Sequence, residues 1–292
     1  MKIALFGKEL DPDQLEYFRI LTGALEEKGC KLFIHDLFYQ FIKDRISFKL
    51  PVQHYSTHEE LRNSADMLIS VGGDGTLLEA VRMVRDSGIP IAGINLGRMG
   101  FLSSIQRSEI LPAVSDILEN RYRIVKRTLI GLQSPQNLFR DCNFAFNELS
   151  INKKDTSSMV VVHVQVNGFH LHSYWADGLI IATPTGSTAY SLSCNGPIIT
   201  PDSSNFVITP ISPHNLSVRP IVIPDSSLIR IKVDSRDHQA LVCLDAQSAI
   251  ITPETELVVS KANFEINLVQ RLNDDFFSTI RAKLNWGFDI RN

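Results

Sequence analysis

Two kinds of hydrophobic spacing alternate along the first 120 residues of the chain. Short apolar runs at positions 2–6, 31–35, 67–71 and 89–94 are typical of buried strands. Apolar residues that recur every three or four positions predict helices over residues 13–28, 58–64 and 108–120, and another beginning after Thr76. Residues 38–56 follow neither spacing and are expected to be irregular. The alternation of strands and helices indicates a parallel sheet covered on both faces.

The spacing changes after residue 120, where helical periodicity is nearly absent. Strands are predicted at 121–132, 142–152, 159–166, 179–182, 206–209, 217–223, 227–233, 240–244, 256–261 and 264–268. Many short strands separated by Pro and Gly clusters favour an antiparallel, β-sandwich-like domain. We therefore expect a Rossmann-like parallel α/β domain over residues 1–120 and an all-β domain over 121–268. Helical spacing returns at 274–284, and the C-terminal segment, 269–292, is expected to pack back on the first domain.

A glycine-rich turn follows the central predicted strand, in the order Gly72, Gly73, Asp74, Gly75 and Thr76. Glycine permits positive φ angles and close approach of a ligand to the backbone, and the free N–H groups of a helix start suit a phosphate. An acid beside a phosphate repels it unless the acid binds a metal or takes up a proton. Asp74 is therefore a candidate metal-binding or hydroxyl-activating group. The alternative is a plain strand-to-helix turn with Asp as its cap.

A second loop with two glycines, residues 95–102, follows the next predicted strand. Arg98 in this loop is either a phosphate contact or a solvated loop residue. In parallel sheets ligands bind at the carboxyl ends of the strands, where both glycine-containing segments are expected to lie.

Polar residues cluster at three places in the predicted β domain. The run 183–190 contains five hydroxyl side chains, which suit a sugar or adenine but equally suit ordinary turn capping. Asn147 and Glu148 place an amide beside a carboxylate, a pair that suits a ribose diol, with an exposed strand end as the alternative. Asp177 and Gly178 form the third cluster, immediately before a predicted strand.

Residues 162–172 carry a strong hairpin signal, because Asn167 and Gly168 favour a two-residue type I′ turn. That register pairs Val166 with Phe169, Gln165 with His170 and His163 with His172. Three histidines then share one face of the sheet. A solvated polar face is the preferred interpretation over a metal site, since no carboxylate or cysteine falls into the pattern.

Composition narrows the classes of protein to consider. The 292 residues are 44% hydrophobic and 21% charged with a net charge of −3, which is ordinary for a globular protein and gives no support for nucleic-acid binding. No apolar run approaches the ~20 residues of a membrane span, and the N-terminus does not resemble a signal peptide. The four scattered cysteines match neither a zinc site nor a secreted disulfide framework, so reduced thiols in a cytoplasm are expected.

Taken in order along the chain, these motifs resemble those of the NAD kinase family. The matching segments are 72–76, 95–102, 147–148, 177–178, 183–190, 210–214, 219–220 and 283–286. The resemblance spans residues 72–286. The glycine-rich signature alone is shared with lipid kinases and phosphofructokinases, whereas the 183–190 run in combination with it is highly specific.

The resemblance implies transfer of the ATP γ-phosphate to the 2′-hydroxyl of the adenosine ribose of NAD, giving NADP, with Mg²⁺ or another divalent cation accompanying ATP. It implies that Asp74 activates the hydroxyl, and it assigns no metal ligand to the protein itself. Asp177 would lie near the nicotinamide end of NAD. The implied nucleotide-binding residues are Gly72, Gly73, Gly75, Thr76, Asn147, Glu148, Asp177, Thr185, Thr188, Ala189, Tyr190, Ser193 and Gln247. The family usually forms homotetramers or homodimers, and the acceptor site is expected to draw on both domains.

The sequence departs from the family pattern at three positions. Asn195 stands where many members have a glycine before Gly196, and Ala246 replaces the glycine of a usual Asp-Gly-Gln. Trp175 occupies a place that is often basic. This last departure bears on the choice between NAD and NADH and on contacts to the acceptor phosphates.

Three other functions share part of these signals. A lipid kinase with the same glycine signature should show an apolar cleft or a membrane-binding face. A sugar-phosphate kinase of the phosphofructokinase type should show more basic residues near its acceptor. A non-catalytic dinucleotide sensor would keep the NAD-binding residues without needing Asp74.

Overall fold

The computed structural model describes residues 1–97, 100–154 and 159–287. Internal contacts divide the chain into two compact units. Unit 1 contains Met1–Lys126 together with the C-terminal residues from Ile266 onward, and unit 2 contains Arg127–Glu265. As expected, the C-terminal helix groups with the first unit. Arg98 lies outside the described residues.

The elements alternate as the hydrophobic spacing indicates. In chain order the strands are β1 (Lys2–Gly7), β2 (Lys31–His35), β3 (Gln53–Tyr55), β4 (Met67–Val71), β5 (Ile91–Asn95), β6 (Ile105–Gln106), β7 (Tyr122–Arg127), β8 (Ile130–Ser134), β9 (Phe144–Ala145), β10 (Glu148–Lys153), β11 (Val160–Val166), β12 (Phe169–Ala176), β13 (Gly178–Ala182), β14 (Asn205–Ile211), β15 (Ile221–Pro224), β16 (Ile229–Ser235), β17 (Ala240–Leu244), β18 (Gln247–Ile251), β19 (Leu257–Lys261) and β20 (Ile266–Arg271). The α-helices are α1 (Pro12–Glu27), α2 (Asp36–Ile42), α3 (His58–Arg62), α4 (Asp74–Val84), α5 (Ile110–Leu118), α6 (Tyr190–Ser193) and α7 (Phe276–Leu284). Short 3₁₀ helices occupy Arg85–Ser87, Arg107–Glu109 and Gly186–Thr188.

Unit 1 is built on an eight-stranded sheet with the order β3-β2-β1-β4-β5-β20-β7, in which β6 pairs with β5. The pairs β1–β2, β1–β4, β4–β5 and β5–β20 are parallel. The chain runs outward from β1 to β2 and β3 on one side and continues through β4 and β5 on the other. This reversal between β1 and β4 is the crevice where open α/β sheets bind ligands. The predicted Rossmann-like α/β fold is confirmed.

The irregular interpretation of residues 38–56 is wrong in part. Helix α2 ends within this segment, and β3 lies near its end. Phe38 and Ile42, one helical turn apart, are both buried, and the Phe38 ring lies edge-on to Phe18 at 5.1 Å. The mixture of aromatic and charged residues hid this short amphipathic pattern, because only one turn of helix faces the core.

Two strands from the region where only β structure was expected join the sheet of unit 1. These are β7 and β20, and β20 lies parallel to β5 with Leu268 opposite Ile91. The stretch 121–132 is divided between β7 and β8, and β18 forms where no strand was predicted. Hydrophobic spacing reports that a segment is a strand but carries no information on which sheet it enters.

Unit 2 consists of two six-stranded sheets, β15-β14-β13-β10-β17-β18 and β12-β11-β16-β19-β8-β9. Neighbouring strands in both sheets run antiparallel. One hydrophobic core contains alternate residues of both sheets, such as Leu149 and Ile151 of β10 with Val162 and Val164 of β11. The predicted β-sandwich-like domain is therefore confirmed.

The hairpin of β11 and β12 follows the predicted register only near its turn. Val166 lies opposite Phe169 and Gln165 opposite His170, but a β-bulge then shifts the pairing. His163 consequently lies opposite Ser173, not His172, because one extra residue reverses the faces of a strand. The predicted face of three histidines is wrong: His163 instead contacts Ser173 Oγ and Asp234 Oδ2, at 2.8 and 3.0 Å.

Within residues 1–97, 100–154 and 159–287, no cluster of His, Cys, Asp and Glu is arranged to hold a metal ion. No helix in the same ranges has the length and hydropathy needed to cross a bilayer.

Candidate active site

The glycine-rich turn of unit 1 joins β4 to α4 at the edge of the β1–β4 crevice. Strand β4 ends at Val71, Gly73 is the N-cap residue, and Asp74 is the first residue of α4. Gly72 has a φ of 148°, and a Cβ added there would lie 2.4 Å from Thr76 Oγ1, so a side chain is excluded. Gly73 and Gly75 are exposed, with no atom within 4 Å of an added Cβ. The turn thus presents open backbone at a helix N-terminus, which suits a phosphate.

Asp74 joins this turn to the second glycine-containing loop. Its Oδ2 accepts a hydrogen bond from the Phe101 N–H at 2.8 Å, and its Oδ1 accepts from Leu102 and Ser103, each at 3.1 Å. A Cβ added to Gly100 would lie 1.9 Å from Asp74 Oδ1, so only glycine fits beside the carboxylate. The two motifs recognised separately in the sequence therefore form one structure.

The three N–H donors fix the direction of the Asp74 carboxylate. Two carboxylate oxygens offer about four lone-pair sites, of which three are taken here. About one site remains for a further donor, such as a substrate hydroxyl. A preoriented acceptor with one open site is the arrangement that a general base requires.

Asn147 and Glu148 of unit 2 are held by a residue that the sequence analysis did not assign. The Asp245 carboxylate accepts hydrogen bonds from the backbone N–H groups of Phe146, Asn147 and Glu148, at 2.7, 2.9 and 3.1 Å. Asp245 itself has a φ of 49°, in the turn between β17 and β18. The Asp-Ala-Gln sequence was the available signal, but nothing local points from Asp245 to a segment about a hundred residues earlier.

The hydroxyl-rich run 183–190 packs directly against the same segment. The Thr183 N–H donates to the Asn147 carbonyl at 2.9 Å, and Thr183 Oγ1 donates to the Phe146 carbonyl at 2.7 Å. A Cβ added to Gly186 would lie 2.0 Å from the Asn147 carbonyl oxygen. The run and the Asn147–Glu148 pair, distant in sequence, are thus joined by backbone contacts.

The hydroxyl groups of this region divide into two sets. Thr183, Ser187 and Ser191 are fully buried and hydrogen-bonded inside unit 2, as the capping interpretation expects. Thr188 Oγ1 donates to the carbonyl of buried Thr185 at 3.0 Å. The implied contact residues with accessible surface are Thr188 and Ala189, which are half-buried, and Tyr190 and Ser193, which are exposed.

Two buried oxygen atoms beside this surface are left without a partner. Asn147 is only 9% exposed, and among the residues that the structure describes nothing bonds to its Oδ1 or to Glu148 Oε2. Burial and the nearby Asp245 charge raise the pKa of the Glu148 carboxyl to about 8, against a lowering by the Tyr190 N–H. Buried polar atoms normally have partners, so this pair of oxygens is suited to a polar ligand.

The remaining predicted residues lie at the ends of strands in unit 2. Lys153 pairs with Asp177 at 2.7 Å, and both line an open cleft of about 540 Å³ together with Trp175. Gln247 Nε2 donates to the Cys142 carbonyl at 3.1 Å, a contact that ties β18 to the segment before β9. Trp175 is 57% exposed, so the position that is often basic presents an aromatic surface here.

Comparisons with known proteins agree with this geometry. A family model described as the ATP-NAD kinase N-terminal domain matches residues 3–122, and one described as the ATP-NAD kinase C-terminal domain matches residues 146–271. The NAD kinase of Flavobacterium psychrophilum is 45% identical over 294 residues, and that of Cytophaga hutchinsonii is 42% identical over 293, each covering 100% of both chains.

A solved structure is similar over the whole fold. The crystal structure of yeast NADH kinase complexed with NADH has a TM-score of 0.86 and 26% sequence identity, covering 100% of this chain and 89% of the yeast chain. Matches to both family models, with full-length relatives well above 30% identity, decide against the lipid kinase and sugar-phosphate kinase alternatives. The chain belongs to the NAD kinase family.

Proposed function

We propose that the protein transfers the γ-phosphate of ATP to the 2′-hydroxyl of the adenosine ribose of NAD, releasing ADP and NADP. The observation that supports this most directly is the Asp74 carboxylate at the start of α4, fixed by three backbone N–H groups with about one acceptor site left. A non-catalytic sensor has no need of such a group. The test is an assay with purified protein, ATP, Mg²⁺ and either NAD or NADH, in which the 2′-phosphorylated product is measured directly.

Unit 1 would bind the donor and supply the base. Gly73 and Gly75 would bind the donor phosphates through backbone N–H groups at the start of α4, where the helix dipole favours negative charge. Gly72 and Thr76 would shape this donor site, because their own N–H groups donate to the carbonyls of Ile94 and Gly73, at 2.9 and 3.1 Å. Asp74 would take the proton of the 2′-hydroxyl as its oxygen attacks the γ-phosphorus and ADP leaves. Such transfers depend on positioning and charge stabilisation more than on covalent help from the protein.

The acceptor would be held by residues of unit 2. At neutral pH the Glu148 carboxyl, with its pKa near 8, is largely uncharged and can both donate and accept a hydrogen bond, as a ribose diol requires. Asn147 Oδ1 would accept from the same ligand. The accessible surfaces of Thr188, Ala189, Tyr190 and Ser193 would contact its rings and riboses, with Asp177 near the nicotinamide end.

Mg²⁺ fits this site as a companion of ATP. The Asp74 carboxylate has most of its lone pairs committed to backbone N–H groups, so the donor phosphates would supply most of the metal ligands. When bound, the ion neutralises charge on the phosphates during transfer. We also propose that the protein acts in the cytoplasm as a homodimer or homotetramer. Light scattering of the purified chain would measure its mass and so test the proposed assembly.

Replacing Asn147 by Ala is expected to raise the Kd for NAD by about 10-fold while that for ATP changes little. The buried Oδ1 would lose hydrogen bonds to the acceptor, each worth about 0.5–1.5 kcal/mol, whereas ATP is assigned to unit 1. Calorimetric titration with each nucleotide separately makes the comparison. Asn137→Ala, at an exposed position of the same unit, is the matched control, and equal losses for both nucleotides would count against the assignment.

The Glu148 carboxyl predicts a pH dependence of stability. Its pKa is about 8 in the folded protein and about 4.5 when exposed, so the folded state holds the proton more tightly. The free energy of unfolding should therefore fall as pH rises from about 4.5 to about 8, by at most about 1.4 kcal/mol per pH unit, and then level off. Urea unfolding between pH 5 and 9 should show this fall in the free energy of unfolding in the parent chain and not in Glu148→Gln. Parallel curves for the two proteins would refute the assignment.

A further inference from the structure

We propose that Lys8 is a donor-binding residue, whose ammonium group leaves Glu79 to contact the phosphates of ATP at the β1–β4 crevice. The inference rests on the proposed function for the identity of the donor. Lys8 belongs to none of the motifs discussed above. It directly follows β1, the strand that forms one side of the crevice.

The sheet register places Lys8 next to the glycine-rich turn. Gly7, the last residue of β1, lies opposite Val71, the last residue of β4. The chain therefore leaves β1 at Lys8 where it leaves β4 at Gly72. In parallel sheets both loops open at the same edge, and ligands bind between them at a reversal of strand order.

The side chain of Lys8 already reaches helix α4. Its Nζ lies 2.6 Å from Glu79 Oε1, on the helix whose first residue is Asp74. Lys8 and Glu79 side chains are 55% and 36% exposed, and an ion pair of this exposure contributes little to stability. The pair can therefore be exchanged at little cost for a contact with a more highly charged group.

The charges of the donor site call for such a cation. ATP brings several negative charges, and Asp74 adds another beside them. The glycine turn supplies only backbone N–H groups and the partial positive charge of one helix end. In the segment from Lys8 to Asp11, which has the sequence Lys-Glu-Leu-Asp, the positive charge comes from Lys8. The Asp11 carboxylate is engaged as the cap of α1. The Asp74 carboxylate faces the loop at residues 101–103, whereas the Lys8 backbone lies on the β1 side of the turn.

The two partners of this ion pair separate a binding role from a structural one. Lys8→Met keeps the aliphatic stem and should raise the Kd and KM for ATP by about 10- to 100-fold, as for the loss of one charge-assisted contact, with KM for NAD unchanged. Glu79→Gln breaks the same pair but frees the ammonium, so ATP affinity should be retained or should improve a few-fold. Lys8→Arg should retain most of the affinity.

Lys2→Met is the matched control, because Lys2 is an exposed lysine at the opposite end of the same strand. It should leave ATP affinity unchanged. Equal effects of Lys8→Met and Glu79→Gln, or no effect of Lys8→Met, would overturn the proposal. Calorimetric titration with ATP and Mg²⁺ in the absence of NAD measures the contact without turnover.

A parent chain that binds ATP through Lys8 yet forms no NADP would refute only the proposed function, whereas NADP formation with unchanged ATP binding by Lys8→Met would refute only this inference.

Discussion

Asp74→Asn is expected to lower kcat by about 10²–10⁴-fold while NAD binds with nearly unchanged affinity. The amide keeps the size of the carboxylate but cannot take up a proton, and general-base catalysis typically contributes a factor of this size. The structure adds a second reason to expect lower turnover. An amide offers one acceptor oxygen where the carboxylate offers two, so its NH₂ group would face at least one of the N–H donors at residues 101–103.

Measurement at two Mg²⁺ concentrations separates the possible roles of this residue. If Asp74 acted chiefly as a metal ligand, high Mg²⁺ would restore part of the lost turnover. Asp275→Asn is the matched control, since Asp275 also accepts a backbone N–H at a helix start, from Ser278 at 2.9 Å, and Asn caps helices about as well as Asp. Turnover of Asp74→Asn close to that of Asp275→Asn would reduce Asp74 to a structural residue.

Asp245→Ala is expected to lower the free energy of unfolding by about 3–5 kcal/mol and the affinity for NAD by at least about 10-fold. The substitution leaves three backbone N–H groups without an acceptor, and a buried unsatisfied donor costs about 1–3 kcal/mol. Phe146 is fully buried and Asn147 nearly so, which limits rescue by water. Asn147 and Glu148 would lose the contacts that fix their direction.

Denaturant unfolding with a parallel NAD titration measures both effects. Asp237→Ala, an exposed acid in a turn of the same unit, should change stability by no more than about 0.5 kcal/mol. Asp245→Asn keeps one acceptor oxygen and should fall between the two. It also removes a negative charge near Glu148, so the pKa of the Glu148 carboxyl should fall below about 8. The pH at which stability levels off should fall with it. Similar unfolding curves for Asp245→Ala and Asp237→Ala would show that the three hydrogen bonds do not stabilise the turn.

The sequence by itself determined what depends on local order along the chain. The apolar run at 67–71 is long enough for one buried strand and is followed by glycines that only a tight turn tolerates, so β4, the turn and the start of α4 could be predicted from it. The parallel α/β fold followed from alternating strand and helix spacing, and the sandwich from the loss of helical spacing. The resemblance carried the choice of reaction, because its motifs are short, contiguous and consist of residue types with few other uses.

Only the tertiary structure decided which distant groups meet. The partners of Asp74 lie 27 to 29 residues away along the chain, and those of Asp245 lie 97 to 99 residues away. The hairpin bulge, the entry of β7 and β20 into the first sheet, and the position of Lys8 beside Gly72 are likewise outcomes of strand pairing. Periodicity specifies which face of a segment is apolar, whereas register and strand order depend on the packing of the whole core. The directions of the Asp74 and Asp245 carboxylates therefore follow only from the folded backbone, whose N–H groups donate hydrogen bonds to them.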